Sequence, residues 1–126
     1  MNRSLSLNLT GARILVVEDE FYLAMDIKDG IERAGGAVLG PCADGASGIS
    51  ALLRERPDCA IVDINLGDGP SFDVAAELKR HGVPFVFITG YDAPSIPAEL
   101  GDVERIEKPA DTRRVIEALG RLAKRD

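Results

Sequence analysis

Tryptophan is absent from this chain, histidine occurs once, and cysteine occurs twice in 126 residues. Each scarcity closes off a chemistry. With His81 alone, no second histidine supports a metal centre or a triad; at the end of a helical stretch it reads as a solvated residue near the last carbonyls. Cys42 and Cys59 both fall in apolar, strand-like runs and read as buried reduced thiols, not as a bridge or a metal pair. No apolar run is long enough to span a bilayer. Met1 to Thr10 lacks the basic start, continuous apolar centre and small-residue cleavage site of a signal peptide, so a cytoplasmic protein without a membrane partner is expected. Basic clusters are missing before the C-terminus, and the formal net charge is −6, so nucleic acid would be repelled.

What the chain does have is the size and balance of one ordinary domain, with 45% hydrophobic and 29% charged residues. It is organised around Cys59-Ala60-Ile61-Val62-Asp63-Ile64-Asn65-Leu66. A short apolar run rich in β-branched residues reads as a strand buried on both faces of a parallel sheet. Asp63 sits toward its carboxyl end, the edge where ligands collect in open α/β sheets. A carboxylate closing so apolar a strand needs partners.

The rest of the chain repeats one pattern. Residues 1–11 read as a flexible leader, and residues 12–126 as one domain. Arg13 to Val17 forms a first strand running directly into Glu18-Asp19-Glu20. Leu23, Ile27, Ile31 and Ala34 then mark one face of a helix stopped by Gly35-Gly36. Ala37 to Gly40 is a second strand, and Asp44 caps a helix with Ile49, Leu52 and Leu53 on one face, closed by Pro57. After the central strand come Gly67-Asp68-Gly69-Pro70 and a helix from Ser71 to His81 with Val74 and Leu78 inward. Phe85 to Thr89 is strand four. From Gly90 to Gly101, two prolines and two flanking glycines leave room for barely one helical turn, so a fourth helix is short or mobile. Val103 to Glu107 is strand five, and Asp111 caps a last helix with Val115, Ile116, Leu119 and Leu122 inward. Five strands alternating with helices imply right-handed crossovers and a parallel α/β sheet covered on both faces.

Polar groups now stand at four strand ends: Glu18 and Asp19, Asp63, Thr89, and Lys108. Parallel strands bring these ends to one edge. Carboxylates gathered there repel one another, and a hard divalent cation such as Mg²⁺ relieves this through oxygen ligands and retained waters. Asp19 and Asp63 read as direct ligands, with Glu18 reaching the metal through water. Lys108 and Thr89 suit a tetrahedral oxyanion beside the cation, which points to phosphoryl.

Val17-Glu18-Asp19, Val62-Asp63-Ile64-Asn65, Ile88-Thr89 and Lys108-Pro109 occur in the order and on the elements of a known family. From Ile14 to about Lys124 the chain resembles the receiver domain of two-component response regulators. The resemblance implies a doubly wound, flavodoxin-like sheet of five parallel strands. It implies that Asp63 accepts phosphoryl from a sensor histidine kinase or phosphotransfer protein, with Mg²⁺ held by Asp19, Asp63 and the backbone carbonyl of Asn65. Thr89 and Lys108 would bind the phosphoryl oxygens, and the Lys108-Pro109 peptide is often cis in such proteins.

Three departures stand out. Arg105 occupies the position where most receivers carry an inward-swinging Tyr or Phe, Gly67 replaces a common proline, and Thr89 and Lys108 lie only 19 positions apart. Phe87-Ile88-Thr89-Gly90-Tyr91 resembles a subfamily of often stand-alone receivers with a Phe-x-Thr-Gly core followed by an aromatic. Gly90 and Tyr91 are therefore the candidates to replace the missing switch.

Other motifs fail on their own terms. Asp63 to Asp68 begins like an EF-hand loop, but the sixth position is not glycine and the twelfth, Val74, is not glutamate. Gly67 to Phe72 lacks the third glycine of a dinucleotide fingerprint. A haloacid-dehalogenase-type phosphatase needs an acid where Asn65 stands. Only Arg125 and Asp126 follow the last helix, which favours a single-domain switch that acts by contact with a downstream protein or as a phosphate sink, and not an enzyme. The alternatives are an interaction module that never sees phosphate, or a receiver cut from a larger regulator or hybrid kinase.

Overall fold

The computed structural model describes residues 8–66, 69–70, 72–90 and 95–123. Along the chain run β1 (Arg13–Val17), α1 (Phe21–Arg33), β2 (Ala37–Cys42), α2 (Gly45–Arg54) and β3 (Cys59–Asp63). A small pair follows, β4 (Asn65–Leu66) and β5 (Gly69–Pro70), then α3 (Phe72–Arg80), β6 (Phe85–Thr89), a 3₁₀ turn at Ala98–Leu100, β7 (Arg105–Glu107) and α4 (Thr112–Leu122). The main sheet is five-stranded and parallel in the order β2-β1-β3-β6-β7. The chain thus winds outward from β1 to one edge and from β3 to the other, as expected of a doubly wound α/β fold.

Strand alternation divides the core in two. Leu15, Val17, Ala60, Val62, Phe85 and Phe87 face α2 and α3, and Ile14, Val16, Cys59, Ile61, Val86 and Ile88 face α1 and α4. Every residue of β3 and β6 is buried, which is why both read as continuous apolar runs. Asp44 caps α2 by accepting from the Ser47 amide, and Asp111 caps α4 by accepting from the Arg113 amide. Cys42 and Cys59 are buried and unbridged, and burial pushes the Cys59 thiol up to about 12.

Several expectations change. Residues 8–11 do not belong to a loose leader: Leu9 is 2% exposed, packs into the α1/α4 layer, and its amide donates to Ala34 O at 2.8 Å. Gly35, at φ +96°, ends α1 against this segment; a Cβ there would lie 2.6 Å from Thr10 Oγ1. Strand two runs two residues past Gly40, because Gly40 at φ +102° carries the chain through a bulge that shifts the register between Leu15 and Val17. Leu53 is 60% exposed, since the buried stripe of α2 is Gly48, Ala51 and Leu52 and one further residue turns the side chain about 100° away. The central run is not one strand. It breaks after Asp63, where the Asn65 amide donates to Asp63 Oδ1 at 3.0 Å, a side-chain turn that starts the antiparallel β4/β5 pair. The fourth crossover holds a single 3₁₀ turn among its described residues, in keeping with a short fourth helix.

Candidate functional site

The carboxyl edge of the sheet is built by four neighbouring strands, β1, β3, β6 and β7. β1 leads directly into Glu18, whose own amide extends the β1/β2 ladder by donating to Cys42 O at 2.9 Å. β3 ends in Asp63, paired in register with Ile88 of β6, and Thr89 pairs with Glu107, the residue before Lys108. Glu18 and Asp63 are 2% and 1% exposed, whereas Asp19 faces solvent. Carboxylate oxygens of all three lie within 4.8 Å of one another.

Lys108 supplies the counter-charge. Its ammonium donates to Asp63 Oδ2 at 3.0 Å and to Glu20 Oε1 at 3.1 Å, and lies 3.6 Å from Glu18 Oε2. Burial works against the charged ammonium, but the hydrogen bond and charge of Asp63, then Glu18 and Glu20, outweigh it and hold the pKa above the usual lysine value. Glu18 is pushed the other way for an acid. Burial raises its pKa to about 8, helped by the Asp63 charge and opposed by the Glu20 amide, which donates to Glu18 Oε2 at 2.8 Å. The other oxygen, Oε1, is buried and has no hydrogen-bond partner among the described residues. Glu18 also shares a side-chain hydrogen bond with Asp63, and its Oε1 beside two further carboxylates offers the oxygen donors that suit a small divalent cation.

These contacts join strand ends far apart in sequence, in the arrangement of one family. The chain belongs to the response regulator receiver domain family, whose model matches residues 14–120. Sensory transduction protein LytT of Bacillus cereus is 31% identical over 116 residues, covering 89% of this chain and 47% of LytT. Chemotaxis protein CheY of Thermotoga maritima is 29% identical over 119 residues, covering 90% of this chain and 99% of CheY. Among solved structures, SdrG of Sphingomonas melonis aligns with a TM-score of 0.76 at 32% identity, over 90% of this chain and 97% of SdrG. The chain spans about half the length of LytT but nearly all of CheY and SdrG. Receivers are signalling modules, and among the described residues no helix is long and apolar enough to cross a membrane.

Within this receiver the sequence-predicted residues are placed unevenly. Glu18, Asp19 and Asp63 come together, and Lys108 joins Asp63, with the Lys108-Pro109 peptide cis. Thr89 is 8% exposed at the same edge; its hydroxyl donates to Gly90 O at 3.2 Å and its carbonyl accepts from the Lys108 amide at 2.8 Å. Asn65 contributes an amide to Asp63 Oδ1, and its side chain is exposed. Gly90 is half-buried, and Tyr91 lies outside the described residues. Arg105 points to solvent from β7, so the aromatic position of most receivers holds an exposed cation here. Glu20 was not singled out from sequence. Its signal was the third acid of Glu18-Asp19-Glu20, which without coordinates reads as an acid near a helix start.

Proposed function

We propose that this receiver domain is a phosphoacceptor switch in which Asp63 takes a phosphoryl group from the histidine of a sensor kinase or phosphotransfer protein. The observation that carries the reading is the Lys108 ammonium 3.0 Å from the buried Asp63 carboxylate, beside the Glu18 and Asp19 acids. In the transfer an Asp63 carboxylate oxygen forms a bond to phosphorus while the phosphorus–nitrogen bond to the donor imidazole breaks. The electron pair stays on the imidazole nitrogen. Asp19, Asp63 and the Asn65 carbonyl would hold Mg²⁺, with Glu18 behind them. When bound, Mg²⁺ supplies neutralisation of the phosphoryl charge. Lys108 draws the incoming oxyanion toward Asp63 and offsets its charge, and the Thr89 hydroxyl, leaving Gly90 O, donates to a phosphoryl oxygen.

Output then runs through protein contact or drainage of phosphoryl from a kinase, with the segment around Gly90 and Tyr91 as the responsive part in place of the absent aromatic at Arg105. Kinship with LytT and with the PhyR regulator of Methylorubrum extorquens, 37% identical over 81 residues, supports a signalling role. The deciding experiment is incubation with acetyl phosphate or phosphoramidate and Mg²⁺, followed by intact-mass analysis. One added phosphoryl that requires Mg²⁺, is removed by hydroxylamine and is lost in a folded Asp63→Asn protein is the expected result. No adduct, or undiminished labelling of Asp63→Asn, overturns the reading and favours an interaction module without phosphate chemistry. Phosphoryl lifetime and phosphorylation-dependent capture of a partner then separate the two outputs.

A further inference from the structure

Glu20 is the least expected member of the site. It occupies the N-cap position of α1, which short Ser, Thr, Asp or Asn side chains ordinarily fill, and its longer carboxylate makes no capping bond. It reaches instead to the Lys108 ammonium at 3.1 Å, while its own amide holds Glu18 Oε2 at 2.8 Å. The Glu20 side chain is 61% exposed and the Lys108 side chain 25%, so the pair stands at the mouth of the site with Lys108 bridging from solvent to the buried Asp63.

An ammonium has three protons to donate. In this structure two are committed, to Asp63 Oδ2 and to Glu20 Oε1, and Glu18 Oε2 stands 3.6 Å away. A phosphoryl group arriving at Asp63 brings oxyanions that need the same ammonium. We infer that Glu20 is a positioning residue that holds Lys108 at the outer rim of the site and competes with the incoming phosphoryl oxygens for it, setting the rate of phosphorylation. The inference rests on the phosphoacceptor reading of Asp63. It assigns Glu20 no contact with the transferred group, only with Lys108.

The test is the rate of adduct formation from phosphoramidate and Mg²⁺, by intact mass, in wild type, Glu20→Gln, Lys108→Ala and the double variant. Glu20→Gln is expected to speed labelling roughly two- to fivefold, the range that an exposed ion pair carries. In the Lys108→Ala background the same substitution is expected to change nothing, because its effect passes through the ammonium. A second readout needs no phosphoryl: in magnesium-free protein the lysine ammonium NMR signal that disappears in Lys108→Ala should shift in Glu20→Gln. A labelled wild type with unchanged Glu20→Gln rate, an equal gain with and without Lys108, or an unmoved ammonium signal each overturns the inference. A wild type that takes no label at all overturns the phosphoacceptor reading itself.

Discussion

Lys108 Nζ and Asp63 Oδ2 lie 3.0 Å apart, though 45 positions separate the residues in the chain. The Lys108 ammonium is drawn into a corner where Glu18, Asp19 and Asp63 crowd within 4.8 Å. Ammonium and divalent cation therefore answer the same negative charge.

Lys108→Ala should consequently tighten Mg²⁺ binding, since removal of a unit charge a few ångströms away at the protein surface is worth on the order of a tenfold change or more. Calorimetric titration measures it. Unchanged or weaker binding would show that the cation goes elsewhere.

Glu18 gives a pH dependence in magnesium-free buffer. Its pKa is about 8 in the folded protein against an ordinary value of 4.5, so between these limits the folded state holds the extra proton. Stability from this group is full below about pH 4.5 and is lost as pH rises through about 8. Urea unfolding of Glu18→Gln beside wild type should therefore show a difference that moves in the variant's favour across that window. A difference that stays flat with pH would contradict it.

Leu9→Ala tests whether residues 8–11 belong to the folded domain. A Leu 2% exposed, packed near Gly36 and Ile31, should cost about 2–4 kcal/mol when truncated, measured by urea denaturation. A cost below about 1 kcal/mol would return Leu9 to a loose leader.

Much of this protein was legible without coordinates. The alternation of β-branched runs with helical periodicity determined a parallel sheet covered on both sides, because buried strands and amphipathic helices each leave a pattern in their own residues. The strand-end positions of Glu18, Asp19, Asp63, Thr89 and Lys108 were legible for the same reason. The break after Asp63 was less so, since the run stays apolar and buried through it, with Val62 before and Ile64 and Leu66 after, and the turn depends on one side-chain hydrogen bond.

Tertiary structure alone decided which of these groups carries which burden. Glu18 became the buried acid, with one oxygen unpartnered among the described residues, while Asp19 stayed exposed, a difference that depends on the walls around each side chain and not on residue type. Leu9 was drawn into the core by α1, and Glu20 was drawn to a lysine 88 positions away. Local pattern records what a segment does to its own backbone. Charge pairing across strand ends exists only once the sheet has brought those ends together, and no local pattern registers it.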